Sequence, residues 1–151
     1  MNTSELYKIF RNYSTICTDS RKIEKDSIFF SLKGDNFNGN KFAKQAIKDG
    51  CKYAIIDEKE YLSENCILVE DVLKSLQSLS SYHRDILNIP LIGITGTNGK
   101  TTTKELIHST LSSKYNCYST KGNLNNHIGV PLSLLEITDK TEIAVIEMGA
   151  N

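Results

Sequence analysis

One stretch limits the possible folds more than any other: Pro90-Leu91-Ile92-Gly93-Ile94-Thr95-Gly96-Thr97-Asn98-Gly99-Lys100-Thr101-Thr102-Thr103. Residues 91 to 95, with Leu91 apolar and Ile92, Ile94 and Thr95 β-branched, read as a buried strand. Glycines recur at 93, 96 and 99, followed by Lys100-Thr101. Apolar residues at 106, 107 and 111, with Thr110, mark one face of a helix behind them. A strand, a glycine-rich turn, Lys-Thr and a helix form the context in which a phosphate loop works. Glycines let the backbone curl so that several N–H groups point inward at phosphate oxygens. The helix start adds unpaired donors and partial positive charge. Lys100 then reaches the outer phosphates, and the Thr101 hydroxyl is a ligand for Mg²⁺.

The spacing departs from the common loop. Gly-x-x-x-x-Gly-Lys would need glycine at 94; the chain has Ile94, with Gly93 and Gly96 on either side. A second chemical signal lies downstream. Glu142-Ile143-Ala144-Val145-Ile146-Glu147 is an apolar strand ending in a carboxylate. Parallel strands deliver their C-terminal ends to one sheet edge, so Thr101 and Glu147 are candidates for a shared metal. The segment Thr120 to Leu132 is rich in amides beside a helix start. It is either a substrate-contacting loop or a capped turn. His127 reads as a plain turn residue, and His83 and His108 as surface or packing residues.

The loop resembles a family. Gly96-Thr97-Asn98-Gly99-Lys100-Thr101-Thr102 after Gly93-Ile94-Thr95 is similar to the ATP loop of the Mur ligases. These are the ATP-dependent amide-forming enzymes of bacterial cell-wall precursor synthesis. The resemblance implies that residues 96 to 102 bind ATP, that Lys100, Thr101 and Glu147 are catalytic, and that Thr101 and Glu147 hold Mg²⁺. Lys121-Gly122-Asn123-Leu124-Asn125-Asn126-His127-Ile128-Gly129-Val130-Pro131 is similar to the branch that joins D-alanyl-D-alanine to UDP-N-acetylmuramoyl-tripeptide. It implies that Asn125 and Asn126 lie near the reacting groups. Asp19-Ser20-Arg21, Ile28 to Gly34, and Asn38-Gly39 with Phe42 also resemble the family. They imply that Ser20 and Arg21 bind the UDP end, with Ser20 on the uracil. A sister ligase adding the third peptide residue, a phosphate-loop kinase or GTPase, and a module that only binds nucleotide-sugar are the competing readings.

Composition agrees with a globular protein. The chain has 151 residues, 39% apolar and 24% charged, with 18 basic and 18 acidic side chains. This balance gives no polyanion-binding surface, so no nucleic-acid partner is expected. No run is long enough to span a bilayer, and the start has no apolar signal core. Cys17, Cys51, Cys66 and Cys117 fall in no C-x-x-C pair and read as free thiols. Together these predict a cytoplasmic protein, monomeric at full length.

The predicted fold class is α/β. Helices are expected over 4–12, 41–49 (capped by Asn40, with Phe42 inward), from Asp71 onward (Leu73, Leu76, Leu79 and Ile86 inward) and over 128–136. Strands are expected at 16–18, 27–32, 53–56, 66–69, 116–120 and 142–147, and a polar loop at 33–39. The helix breaker at Asn88-Ile89-Pro90 puts the boundary near 82–90. Residues 1–85 then form a small UDP-substrate domain, and residues 86–151 the start of a parallel-sheet ATP-binding domain. Family members are much longer, so the resemblance implies an N-terminal fragment.

Overall fold

The structure, a computed structural model, describes residues 1–149. The chain divides after Leu79 into two compact units. The sequence placed the division at the proline break a few residues later. It falls instead inside the helix Val72–Leu87, because the last turns of that helix pack with the second unit: the buried His83 meets the Ile137 carbonyl oxygen at 2.8 Å, and Leu87 joins a cluster with Ile137.

The first unit begins with α1 (Thr3–Asn12), capped by Asn2, which accepts from the Glu5 N–H while Glu5 accepts from the Asn2 N–H. Its sheet is β1 (Ile16–Cys17), β2 (Ile28–Phe30), β5 (Tyr53–Ile56) and β6 (Cys66–Leu68), all parallel and in that order. Side chains alternate across a strand. Phe29, Ala54 and Ile56 therefore share one face, where they cluster with Ala43 and Ala46 of α2 (Ala43–Lys48). Ile28, Phe30 and Ile55 face the other way and are equally buried. A sheet buried on both faces explains why these strands read as continuous apolar runs. The first half of the sixteen-residue α3 (Val72–Leu87), up to Leu79, closes the unit, with Asp71 accepting from the Lys74 N–H at its start.

Three local expectations change here. The 33–39 loop contains a small antiparallel ribbon, β3 (Lys33–Gly34) with β4 (Phe37–Asn38). Asn40 does not cap the helix. A 3-10 turn over Gly39–Phe42 precedes α2; Asn38 caps that turn, accepting from the Asn40 N–H, and α2 itself starts with no side-chain cap. Asn40 is buried, and its amide bonds both the side chain and the N–H of Asp57. Phe42 is exposed and stacks on Phe37 at 5.3 Å. Short polar side chains can cap or brace, and only the tertiary partner selects between the two.

Asp57 joins these pieces. Burial pushes its carboxyl upward, but bonds from Asn40, Lys33 and the Val72 N–H outweigh that and hold it below the ordinary range. A depressed folded value means its stabilisation is present above the unfolded value and is lost as pH falls through the folded one. Asp57→Ala should cost about 1–3 kcal/mol at neutral pH, since it strands Asn40 and the Val72 N–H. It should also flatten the fall in stability below about pH 4. Urea denaturation at pH 7 and pH 3 checks both; an unchanged loss between the two pH values would refute the assignment.

The second unit has a parallel sheet of β7 (Leu91–Ile94), β9 (Ile143–Glu147) and β8 (Cys117–Ser119), with β9 in the middle. Ala144 and Ile146 face a cluster with Leu134 and Val130 of α5 (Gly129–Leu135). Val145 and Glu147 face the opposite side, toward α4 (Lys100–Ser112). Two predicted apolar faces are revised. Ile86 is 56% exposed and Leu106 66% exposed. Lys104, which the periodicity passed over, is the buried residue of α4.

Candidate functional site

The phosphate-loop candidate lies between β7 and α4. β7 ends at Ile94, which pairs with Glu147 at the end of β9, so both C-terminal strand ends reach one edge. The chain then turns through Gly96, at φ 144°, and Gly99, at φ 75°. Side chains rarely adopt either angle, and a Cβ at either position would meet open space. Both glycines are therefore there for backbone shape. Gly99 leads into α4 with no side chain capping the first turn. The uncapped start directs the helix donors toward the loop. Thr97, Asn98, Thr101 and Thr102 are exposed along it. Lys100 folds back over the loop, its Nζ donating to the Gly96 carbonyl at 2.6 Å and reaching the Thr97 carbonyl at 3.5 Å.

Glu147 gathers the other groups. Its carboxylate accepts from the Thr101 hydroxyl at 3.1 Å and 3.3 Å and from the Asn125 amide at 2.9 Å. Its N–H donates to Thr120 Oγ1 at 3.0 Å. Lys104, whose side chain is 2% exposed, donates to the Thr120 carbonyl at 2.7 Å and lies 3.8 Å from Glu147 Oε2. The structure thus brings together Thr101, Asn125 and Glu147 of the predicted residues. Asn126 turns to backbone duty: its Oδ1 accepts from the Ile128 and Gly129 N–H groups at the start of α5. The sequence missed Lys104 and Thr120. Their signal was a lysine on the inward side of α4 and a threonine closing β8, each visible only once the sheet order is known.

Among the described residues no three His, Cys, Asp or Glu side chains cluster to hold a metal. Thr101 and Glu147 suit a hard cation that keeps waters and completes its shell with phosphate oxygens, the usual manner of Mg²⁺. One hydroxyl and one buried carboxylate beside a phosphate loop fit that group.

The first unit has its own candidate. Thr18, Asp19, Ser20, Arg21, Phe37 and Phe42 line an open groove of about 430 Å³. Arg21 grips Asp19 in a two-pronged pair, both bonds 2.9 Å. The Arg21 guanidinium accordingly holds the Asp19 carboxyl well below its usual range. Ser20, half-buried, lines the groove with them. The parallel rings of Phe37 and Phe42, tilted by 10°, form an exposed flat wall.

Known proteins share this architecture and sequence. Residues 12–104 match the Mur ligase family catalytic domain, and residues 94–151 match the Mur ligase middle domain. The UDP-N-acetylmuramoyl-tripeptide–D-alanyl-D-alanine ligase of Bacillus subtilis is 44% identical over 137 residues, covering 89% of this chain and 30% of that protein. The ligase of the same name from Synechocystis is 41% identical, covering 89% and 30%. The crystal structure of MurF from Acinetobacter baumannii superposes with a TM-score of 0.84 at 38% identity, over 91% of this chain and 30% of that one. A MurF ligase from Thermotoga maritima, solved with ADP, gives 0.81 at 32% identity, over 90% of this chain and 32% of that one. The chain spans about 30% of the length of these curated relatives. A glycine-rich loop, a strand-end glutamate facing its threonine, and these matches along the chain show that it belongs to the Mur ligase family.

Proposed function

We propose that this chain supplies the UDP-substrate and phosphate-binding parts of an ATP-dependent ligase joining D-alanyl-D-alanine to UDP-N-acetylmuramoyl-tripeptide. The observation that carries the reading is the meeting of Thr101, Asn125 and Glu147 beside the Gly96–Lys100 loop. In this reading residues 96–102 hold ATP, and Thr101 with Glu147 holds Mg²⁺. Bound Mg²⁺ offsets phosphate charge, which is where most of the catalysis in phosphoryl transfer arises. Lys100 does the same from the loop. The substrate carboxylate takes the γ-phosphoryl group, leaving ADP. The amine of D-alanyl-D-alanine then attacks the acyl carbon and gives up a proton, so that an amide forms and inorganic phosphate leaves. Asn125 keeps the Glu147 carboxylate in place, and Asn126 keeps the start of α5 beside it.

The groove of the first unit takes the uridine end in the same reading, with Ser20 bonding the uracil and Arg21 facing the diphosphate. The exposed pair Phe37 and Phe42 adds a flat surface for a ring or sugar. Residues 1–85 act as the UDP-substrate domain and 86–151 as the beginning of the ATP-binding domain. Four unpaired cysteines support a reducing, cytoplasmic setting. No helix among the described residues is long and apolar enough to cross a membrane.

Calorimetric titration separates the two halves. ADP with Mg²⁺ and UDP-N-acetylmuramic acid should both bind, and GTP should bind far more weakly than ATP. Thr101→Ala should weaken the Mg²⁺ dependence of ADP binding and leave the UDP-sugar unaffected. Ser20→Ala should do the reverse, by about 0.5–1.5 kcal/mol for one neutral hydrogen bond. A preference for GTP, or both variants impairing both ligands alike, would overturn the reading.

A further inference from the structure

Lys104 is an unusual residue to find beneath a helix. A lysine is almost never fully buried unless paired, and an isolated buried ammonium is costly. Here the side chain lies under α4, and three groups surround its Nζ: the Thr120 carbonyl at 2.7 Å, the Glu105 carboxylate at 3.1 Å and Glu147 Oε2 at 3.8 Å. Glu105 is 61% exposed and Glu147 only 2%. The ammonium therefore faces one solvated and one buried carboxylate.

The bonds close a circuit. Lys104 ties α4 to the end of β8 through the Thr120 carbonyl. Thr120 ties β8 to β9, its hydroxyl accepting from the Glu147 N–H. Glu147 returns to α4 through Lys104 and Thr101. Its two oxygens are treated differently. Asn125 donates to Oε1, Lys104 approaches Oε2, and Thr101 bridges both.

We infer that Lys104 is a positioning residue for Glu147, fixing from behind the direction in which the buried carboxylate meets a divalent cation. The inference rests on the reading of Thr101 and Glu147 as the metal pair. Mg²⁺ demands near-ideal octahedral geometry. A carboxylate free to rotate presents its lone pairs poorly, and loss of an outer partner typically costs roughly 10–100-fold in metal affinity. Two effects compete on removing Lys104: less repulsion on an incoming cation, and a less ordered ligand. The ammonium lies behind the carboxylate at 3.8 Å, beyond a direct hydrogen bond, while it bonds the strand end outright. Ordering is thus the larger effect.

The test compares ADP affinity with Mg²⁺ and with EDTA for the parent chain and for Lys104→Met. In the parent, Mg²⁺ should tighten ADP binding. In Lys104→Met that gain should shrink by roughly tenfold, while ADP binding in EDTA stays within about twofold of the parent. Lys104→Gln is uncharged and one bond shorter, so it does not span from α4 to the Thr120 carbonyl and Glu147 as lysine does; it should show the same loss and serves if the methionine variant does not fold. Placing Glu147→Gln in either variant should abolish any further Mg²⁺ effect. An undiminished or larger Mg²⁺ gain in a folded Lys104 variant overturns the inference, as does equal weakening with and without Mg²⁺. No Mg²⁺ gain in the parent overturns the metal reading itself, which is a different result.

Discussion

In the proposed function, Lys100→Ala is expected to lower ligase turnover by roughly 30-fold to several thousand-fold. Lys100 Nζ lies over the loop, donating to the Gly96 carbonyl at 2.6 Å. Carbonyls hold the ammonium where β- and γ-phosphate oxygens would come in the proposed function. Removing a point charge from a partly dehydrated phosphate site costs roughly 2–5 kcal/mol, by analogy with buried charge pairs. Every 1.36 kcal/mol in the barrier is a factor of about ten in rate. The loss should appear mainly in kcat, because charge neutralisation is felt most in the transition state. Stability should hardly change. Lys100 is only half-buried, and its one short bond, to the Gly96 carbonyl, contributes roughly 0.5–1.5 kcal/mol. Phosphate release with saturating substrates measures the first effect, and a thermal melt the second. Turnover within a few-fold of the parent would remove the loop from the catalytic centre.

Gly129→Ala is the second large effect, and here its sign discriminates between causes. Gly129 opens α5. On helix propensity alone, alanine should stabilise by roughly 0.5–1 kcal/mol. The local packing says otherwise. A Cβ at 129 would lie 2.5 Å from both Cα and C of Leu124 and 2.9 Å from its carbonyl oxygen. These are backbone atoms, with no flexible end to give way. The next residue, Asn125, holds the Glu147 carboxylate at 2.9 Å, and its carbonyl accepts from Gly149. Overpacking costs about 1–3 kcal/mol, which exceeds the propensity gain. Gly129→Ala should therefore lower the melting temperature and also the Mg²⁺ dependence of ADP binding, since the displaced loop carries Asn125. A variant as stable as the parent would show that the 124–125 backbone yields easily, and a more stable one that propensity dominates.

The local elements were largely legible in the sequence. β9 announced itself through Ile143-Ala144-Val145-Ile146, since a strand buried on both faces has no polar alternation. α4 was marked by the Gly99 turn before it and β7 by Pro90 before it. The glycines at 93, 96 and 99 signalled a backbone that curls; 96 and 99 take angles that only glycine adopts cheaply, whereas Gly93 lies within β7. Helix faces were less legible. Ile86 and Leu106 were expected inward and lie exposed, while His83 and Lys104 are buried. Periodicity assigns faces by apolar character and cannot see a polar side chain whose hydrogen-bond partners come from distant strands.

The candidate site follows the same division. The sequence by itself determined the glycine-rich turn, Lys100 and Thr101 at a helix start, and a strand ending at Glu147. These depend on local backbone chemistry and on residues adjacent in the chain. Only the tertiary structure decided that β9 lies between β7 and β8. That order places Glu147 beside Thr101, 46 residues away, and beside Asn125. It also decided that Lys104 and Thr120 stand behind the carboxylate, and that Phe42 turns outward to stack on Phe37. The physical reason is common to all of them. Strand order and the partners of buried polar groups are set by which long-range contacts together satisfy the apolar faces and the hydrogen bonds, a condition that no single window of sequence contains.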